Sequence, residues 1–292
     1  MRRLRGKLFS MIFQDPMTAL NPTIPIGKQI AEAILIHEPK LPKEKVYNRV
    51  IELMELVGIQ QPHERYKLYP YNFSGGMRQR SVMAIALAAK YPHVYATVGS
   101  HPDAADEVTD QVIQEYRQLC RHPKVKAIGE IGLDYYYETI HRDAQMRAFR
   151  MQMQLAEELD MPVIVHERDA HEDGMSIVKE FPKVKGVFHC YSGSAEMARQ
   201  LVDMGWYIGF TGVLTFKNAR KAVETAASIP LERILLETDC PYMAPEPYRG
   251  KRNHPGYLPK MAEKLAQIRG IPVEKAICAT MENAKRLYRI ED

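Results

Sequence analysis

Residues 162–166, PVIVH, form an apolar run that stops on an imidazole. The same form recurs along the rest of the chain. VYATVGSH (94–101) stops at His101, VKAIGE (125–130) at Glu130, GVFH (186–189) at His189 and ILLETD (234–239) at Asp239. With residues 207–210, YIGF, these runs define six candidate strands: 94–99, 125–131, 162–165, 186–188, 207–210 and 234–236. Between them lie helical stretches such as RDAQMRAFRMQMQLAEELD (142–160) and SAEMARQLVDMG (194–205). Alternating strands and helices predict an α/β barrel or a doubly wound sheet. In a parallel barrel the C-terminal strand ends share one mouth, where active sites are built.

Glu130, His166 and His189 come from three successive strand ends and would converge there. Two neutral imidazoles and a carboxylate suit zinc or a similar divalent ion and leave a position open for water. Taken singly, each residue has a plainer reading. A histidine after an apolar strand can be a hydrogen-bonded rim residue, Glu130 can pair with an arginine, and Asp239 before Cys240-Pro241 can open a turn. Their shared placement favours the metal reading. His93, His122, His141, His171 and His254 lack that placement and read as solvated.

The chain of 292 residues is long enough for one large or two smaller domains. No run is long enough for a membrane span, and the basic start, MRRLRGKLFSMIFQDP, reads as neither signal peptide nor anchor. The cytoplasm is the expected compartment. Cys120, Cys190, Cys240 and Cys278 are widely spaced without a C-x-x-C pair. That spacing argues against a disulfide framework and against a structural zinc site, and the cysteines read as small buried hydrophobes. Residues 1–89 hold 13 Lys and Arg against 7 Asp and Glu, whereas residues 90–292 hold 27 against 29. The basic excess belongs to the first segment and gives no argument for nucleic-acid binding by the second.

In that first segment, KLFSMIFQ (7–14) reads as a strand and GKQIAEAILIHE (27–38) as a helix. A second helix starts near Pro42, carries Val46, Val50, Leu53, Met54 and Val57 on one face, and ends at Gly58. Ser74-Gly75-Gly76 opens a third, whose exposed N–H groups suit an anion. MIFQDPMTALNPTIPIGKQIAEAI (11–34) and YPYNFSGGMRQRSVMAIALA (69–88) resemble the ATP-binding subunits of ABC transporters, the oligopeptide and dipeptide importers in particular. The resemblance implies that Gln14 is the Q-loop glutamine and that Ser74, Gly75 and Gly76 belong to the nucleotide-contacting signature motif. The chain has no G-x-x-x-x-G-K-[ST], so nothing cradles the β- and γ-phosphates and ATP is not an expected cofactor. The expected unit over 1–89 is a mainly α-helical transporter-ATPase fragment.

From about Ala89 onward, AIGEIGLDYYY, MPVIVHERDA, GVFHCYSGS, YIGFTGVLTFKNA, ILLETDCPYMAPEPYRGKRNHPGYL and ENAKRLY strongly resemble the TatD-type metal-dependent hydrolases, often described as deoxyribonucleases. The resemblance implies a TIM-type barrel and hydrolysis of phosphodiester bonds, in DNA or another substrate, with zinc, magnesium or manganese. It implies Glu130, His166, His189 and Asp239 as metal ligands, with Glu130 bridging and Asp239 and Glu130 as the catalytic carboxylates. His101 would lie by the substrate, and Arg249 and Asn253 would order the loop after the last strand or contact the substrate. The family opens with a strand carrying His-x-His, a pair absent from this chain. The expectation is therefore an incomplete barrel of six strands over 90–292, with one metal site rather than two and impaired activity. Two alternatives stand beside it: a non-catalytic module docking a transporter ATPase or permease through residues 1–89, and a fusion without coherent function.

Overall fold

Hydrophobic spacing builds the first elements. A computed structural model describes residues 21, 23–56, 59, 61–72, 95–136 and 141–290. Contacts divide the chain into residues 1–96 and 97–292. In the first unit, α1 (Ile26–His37) buries Ile26, Ile30 and Ile34 at four-residue steps, and α2 (Lys43–Leu56) buries Val46, Val50, Leu53 and Met54. A single turn, α3 (Pro62–Arg65), follows with proline in its first turn. The strand read at 7–14, Val57, Gly58 and the helix opened by Ser74 lie outside the described residues, as do Gln14, Gly75 and Gly76.

Six strands form one sheet: β1 (Ala96–Val98), β2 (Val125–Asp134), β3 (Val163–Arg168), β4 (Gly186–Phe188), β5 (Tyr207–Phe210) and β6 (Ile234–Leu236). Their spatial order follows the sequence, and the pairs from β2 through β6 are parallel. A doubly wound sheet reverses its order at a switch point; an order that never reverses is that of a barrel wall. Helices α4 (Asp110–Leu119), α5 (Arg142–Leu159), α6 (His171–Glu180), α7 (Ala195–Asp203) and α8 (Arg220–Ser228) connect successive strands. They are followed by α9 (Leu258–Arg269) and α10 (Val273–Tyr288). Among the described residues, no helix is long and apolar enough to cross a membrane.

Strand β3 shows how side chains are sorted. Val163, Val165 and Glu167 are buried, while Ile164, His166 and Arg168 alternate with them on the less covered face. Strand β2 departs from that alternation. Gly129 pairs with Ile164 but Ile131 pairs with Val165, so Glu130 is an extra residue in a β-bulge. In unbroken register Glu130 would stand beside Val165, on the buried face. The bulge hands that place to Ile131 and frees the glutamate.

Pairing then resumes and carries β2 to Asp134, three residues past the end expected from sequence, with Gly132 opposite His166. Gly132 has φ +134°, and a Cβ there would lie 2.0 Å from the His166 carbonyl oxygen. Gly132→Ala is expected to cost roughly 3 kcal/mol, by combining a left-handed backbone with a backbone clash. Urea unfolding monitored by circular dichroism measures it.

Candidate metal centre at the strand ends

Three imidazoles stand at the C-terminal strand ends, and each is hydrogen-bonded to its own carboxylate. His166, on β3, has Nε2 3.0 Å from Asp134 Oδ2. His189, one residue past β4, has Nδ1 3.3 Å from Glu237 Oε2. His101, three residues past β1, has Nδ1 2.8 Å from Asp103 Oδ1. An imidazole held this way through one nitrogen presents the other in a fixed direction.

Glu130 lies among these rings. Its Oε2 is 4.0 Å from His166 Nδ1 and 3.5 Å from His189 Nε2. One ligand atom each from His101, Glu130 and His166 fall within 4.8 Å of one another. Metal–nitrogen and metal–oxygen bonds of about 2.0–2.2 Å span such a set. The donor chemistry also fits, with two imidazoles and a carboxylate of the kind that binds zinc and related divalent ions. His189, expected from the sequence beside Glu130 and His166, has its Nε2 nearer to Glu130 Oε2 than His166 Nδ1 is, and His101, not expected as a ligand, stands with Glu130 and His166 as well.

Charge follows the same geometry. Burial works against an imidazolium at His189, yet Glu130 and the Glu237 hydrogen bond outweigh it and hold the pKa well above its ordinary value. At His101 burial is likewise overcome, by Asp103 first and then by Glu130 and Asp134. Burial opposes ionisation of Asp134, but the His166 hydrogen bond and the Tyr136 amide keep its carboxyl below the usual value. Asp239 is shifted upward, first by burial and then by Glu130 and Glu237, against the pull of His189 and His166. It belongs electrostatically to this cluster and takes a left-handed backbone, φ 52°. Cys190 is also left-handed, at φ 45°. Its thiol is pushed up to about 11 by burial, which suits an inert packing residue rather than a ligand.

Several residues that matter here were not singled out from sequence. Glu237 crosses β5 to reach β4, and it can do so because Gly209 has no side chain; a Cβ there would lie 2.3 Å from Glu237 Oε1. Two buried glutamines of α5 clamp the backbone of neighbouring strand ends. Gln145 accepts from the Asp134 amide at 2.8 Å and donates to its carbonyl at 2.9 Å. Gln152 accepts from the Ser100 amide at 2.7 Å and donates to its carbonyl at 3.1 Å. Their seven-residue spacing on one face of a helix was the available signal. His171, read as solvated, instead bonds Glu167 at 2.5 Å.

The loop after β6 is held by contacts of its own. Arg249 places its guanidinium 4.3 Å above the Phe216 ring. Asn253 is buried, and its amide nitrogen donates to the carbonyls of Thr238 at 2.6 Å and Tyr242 at 2.7 Å. Its side-chain oxygen accepts from the His254 amide at 2.8 Å. Of the two roles expected for Asn253, these bonds fit loop ordering; its polar atoms are committed to the loop rather than offered to a substrate.

A sequentially ordered parallel α/β sheet with imidazoles and carboxylates gathered at its strand ends defines the class of barrel-type metal-site proteins. The chain belongs to the TatD related DNase family, whose model matches residues 26–289. It is 44% identical over 209 residues to the uncharacterized metal-dependent hydrolase YabD of Bacillus subtilis, covering 71% of this chain and 82% of that protein. It is 36% identical to the 3'-5' ssDNA/RNA exonuclease TatD of Salmonella typhimurium, covering 72% and 84%. Among solved structures, the TatD homologue YjjV of Escherichia coli superposes with a TM-score of 0.66 at 31% identity, covering 70% of this chain and 81% of that one. The family match begins at Ile26 and so takes in α1 and α2, within the segment read as a transporter ATPase. The transporter assignment of residues 1–89 draws no support from these comparisons.

Replacing Asn253 by Ala would strand two carbonyls and an amide in the loop. The expected loss is about 2–4 kcal/mol of stability, together with faster proteolytic cutting between residues 239 and 257 under native conditions.

Proposed function

We propose that this chain hydrolyses phosphodiester bonds with a divalent metal held at the strand ends, in DNA or a related nucleic acid. The observation that carries the reading is the convergence of Glu130 with His166, His189 and His101. Asp239 completes the charged cluster. Zinc, magnesium and manganese are the candidate ions, and the imidazole-rich donor set favours zinc. When bound, such an ion supplies Lewis acidity toward a phosphoryl oxygen and toward water.

The chain's own residues account for the remaining work. Asp239 has a carboxylate made more basic by burial, and it takes the proton from an attacking water at a carboxylate oxygen. Asp134 and Glu237 hold His166 and His189 in the tautomers that direct their other nitrogens toward Glu130. The mouth also offers surface for a polyanion with bases. Tyr136 and Tyr242 are 56% and 55% exposed, and Arg168 stacks 3.6 Å above the Tyr136 ring. Exposed aromatics beside arginine are what single-stranded nucleic acid stacks on.

Residues 90–292 carry this centre as a TatD-like barrel wall of six strands. The ligands proposed here all come from strand ends within that wall. The full chain, incubated with a single-stranded oligonucleotide and Mn2+ or Zn2+, is expected to cleave it. Chelation should remove the activity and added metal restore it, while His166→Ala should fall to the background rate. Cleavage that persists undiminished in His166→Ala would sink the assignment.

A further inference from the structure

We infer that His101 is a protein ligand of the metal, joining Glu130 and His166, and that Asp103 is its orienting carboxylate. This rests on the metal-centre reading above and changes the part His101 plays in it, from a residue beside the substrate to one that grips the ion.

Four observations converge. First, the ligand atoms of His101, Glu130 and His166 lie within 4.8 Å of one another. Second, the His101 and His166 rings pack edge to face with centroids 4.4 Å apart, whereas the His166 and His189 centroids are 6.0 Å apart. Third, His101 is held as His166 is. Nδ1 lies 2.8 Å from Asp103 Oδ1 and 3.4 Å from the Asp103 amide; the carboxylate, the nearer partner, favours the proton on Nδ1, and in that tautomer Nε2 keeps its lone pair for a cation. His166 gives Nε2 to Asp134 at 3.0 Å and turns Nδ1 toward Glu130.

Fourth, both histidines are braced from α5. Gln152 clamps both backbone groups of Ser100, the residue before His101, and the Ser100 hydroxyl is 2.6 Å from Tyr116 Oη. Gln145 clamps Asp134, the carboxylate behind His166, in the same two-bond manner. Such bracing fixes a donor before the ion arrives, which is what a metal ligand requires. A chain without His-x-His gains from His101 a further imidazole beside Glu130 and His166.

The test uses the full chain and Co2+ as probe. Three exchangeable imidazole N–H resonances should appear strongly shifted by the paramagnetic ion, from His101 Nδ1–H, His166 Nε2–H and His189 Nδ1–H, where a centre without His101 would give two. His101→Ala and His101→Gln should each lose one of them and weaken Co2+ binding by about as much as His166→Ala. Asp103→Asn should weaken binding about 10-fold, the lower end of the range for losing a carboxylate behind a ligating imidazole. Circular dichroism of the metal-free variants separates lost binding from lost folding, and the resonance count on the unmodified chain needs no variant. If both His101 variants bind Co2+ as tightly as the unmodified chain while His166→Ala does not, His101 is not a ligand and the metal centre stands without it. If the unmodified chain fails to bind Co2+, the metal-centre reading and this inference fall together.

Discussion

The bulge at Glu130 is the constraint on which the rest of the site depends. In a parallel sheet, residues paired across strands point to the same face, and Ile131 and Val165, which share one, are fully buried. A glutamate there would need a partner or would shed its charge, since an isolated buried carboxylate costs several kcal/mol. One extra residue in β2 removes the conflict. It keeps Ile131 in the core, sets Gly132 against the His166 backbone and leaves Glu130 between His166 and His189. Without the bulge, the histidines would have no common carboxylate to face.

Around that carboxylate the site is laid out in shells of opposite character. Imidazoles surround Glu130, and a second set of carboxylates, Asp103, Asp134 and Glu237, surrounds the imidazoles. The arrangement collects carboxylates in a partly buried place: Asp239 is shifted upward, first by burial and then by Glu130 and Glu237, and the same two glutamates hold His189 up against its own burial. Concentrated negative potential with lone pairs aimed inward favours a multivalent cation over any single proton. A structural ion-pair network would have turned its nitrogens and oxygens toward one another in closer pairs than the 3.5 and 4.0 Å separations around Glu130.

The six strands were legible in the sequence because a parallel strand buried on both sides reads as an unbroken apolar run, and a polar residue marks where each run leaves the core. His166 and Glu130 could be found that way, since each ends such a run. The outer carboxylates could not. Asp103 and Asp134 look like ordinary turn and strand-end acids, and Glu237 shows its role only once Gly209 lets it reach across β5. The bulge left no mark in IGEIGLD, where apolar spacing continues through it, and so β2 seemed to end at Ile131. Helices α1 and α2 were legible from the spacing of Ile30, Ile34, Val46 and Val50. The transporter resemblance rests on short motifs around Gln14 and Ser74 rather than on that spacing, and the family match takes in the segment from Ile26.

The same contacts divide the site's bracing into two halves. Glutamines of α5 brace the ends of β1 and β2, and through Asp134 they reach His166 on β3. On the far side, Glu237 ties β6 to the start of the turn after β4 by accepting from the Cys190 amide at 3.1 Å, and Asn253 ties the following loop to Thr238. No residue among the described hydrogen-bond partners named here serves both halves; Glu130 is where they meet. Groups without shared partners respond independently to perturbation, whereas groups in one network do not. His166 and His189 share Glu130 and so belong to one network, in which a change behind either ring is felt at the other. Glu130, set between them by one extra residue in β2, couples the two sides into a single centre.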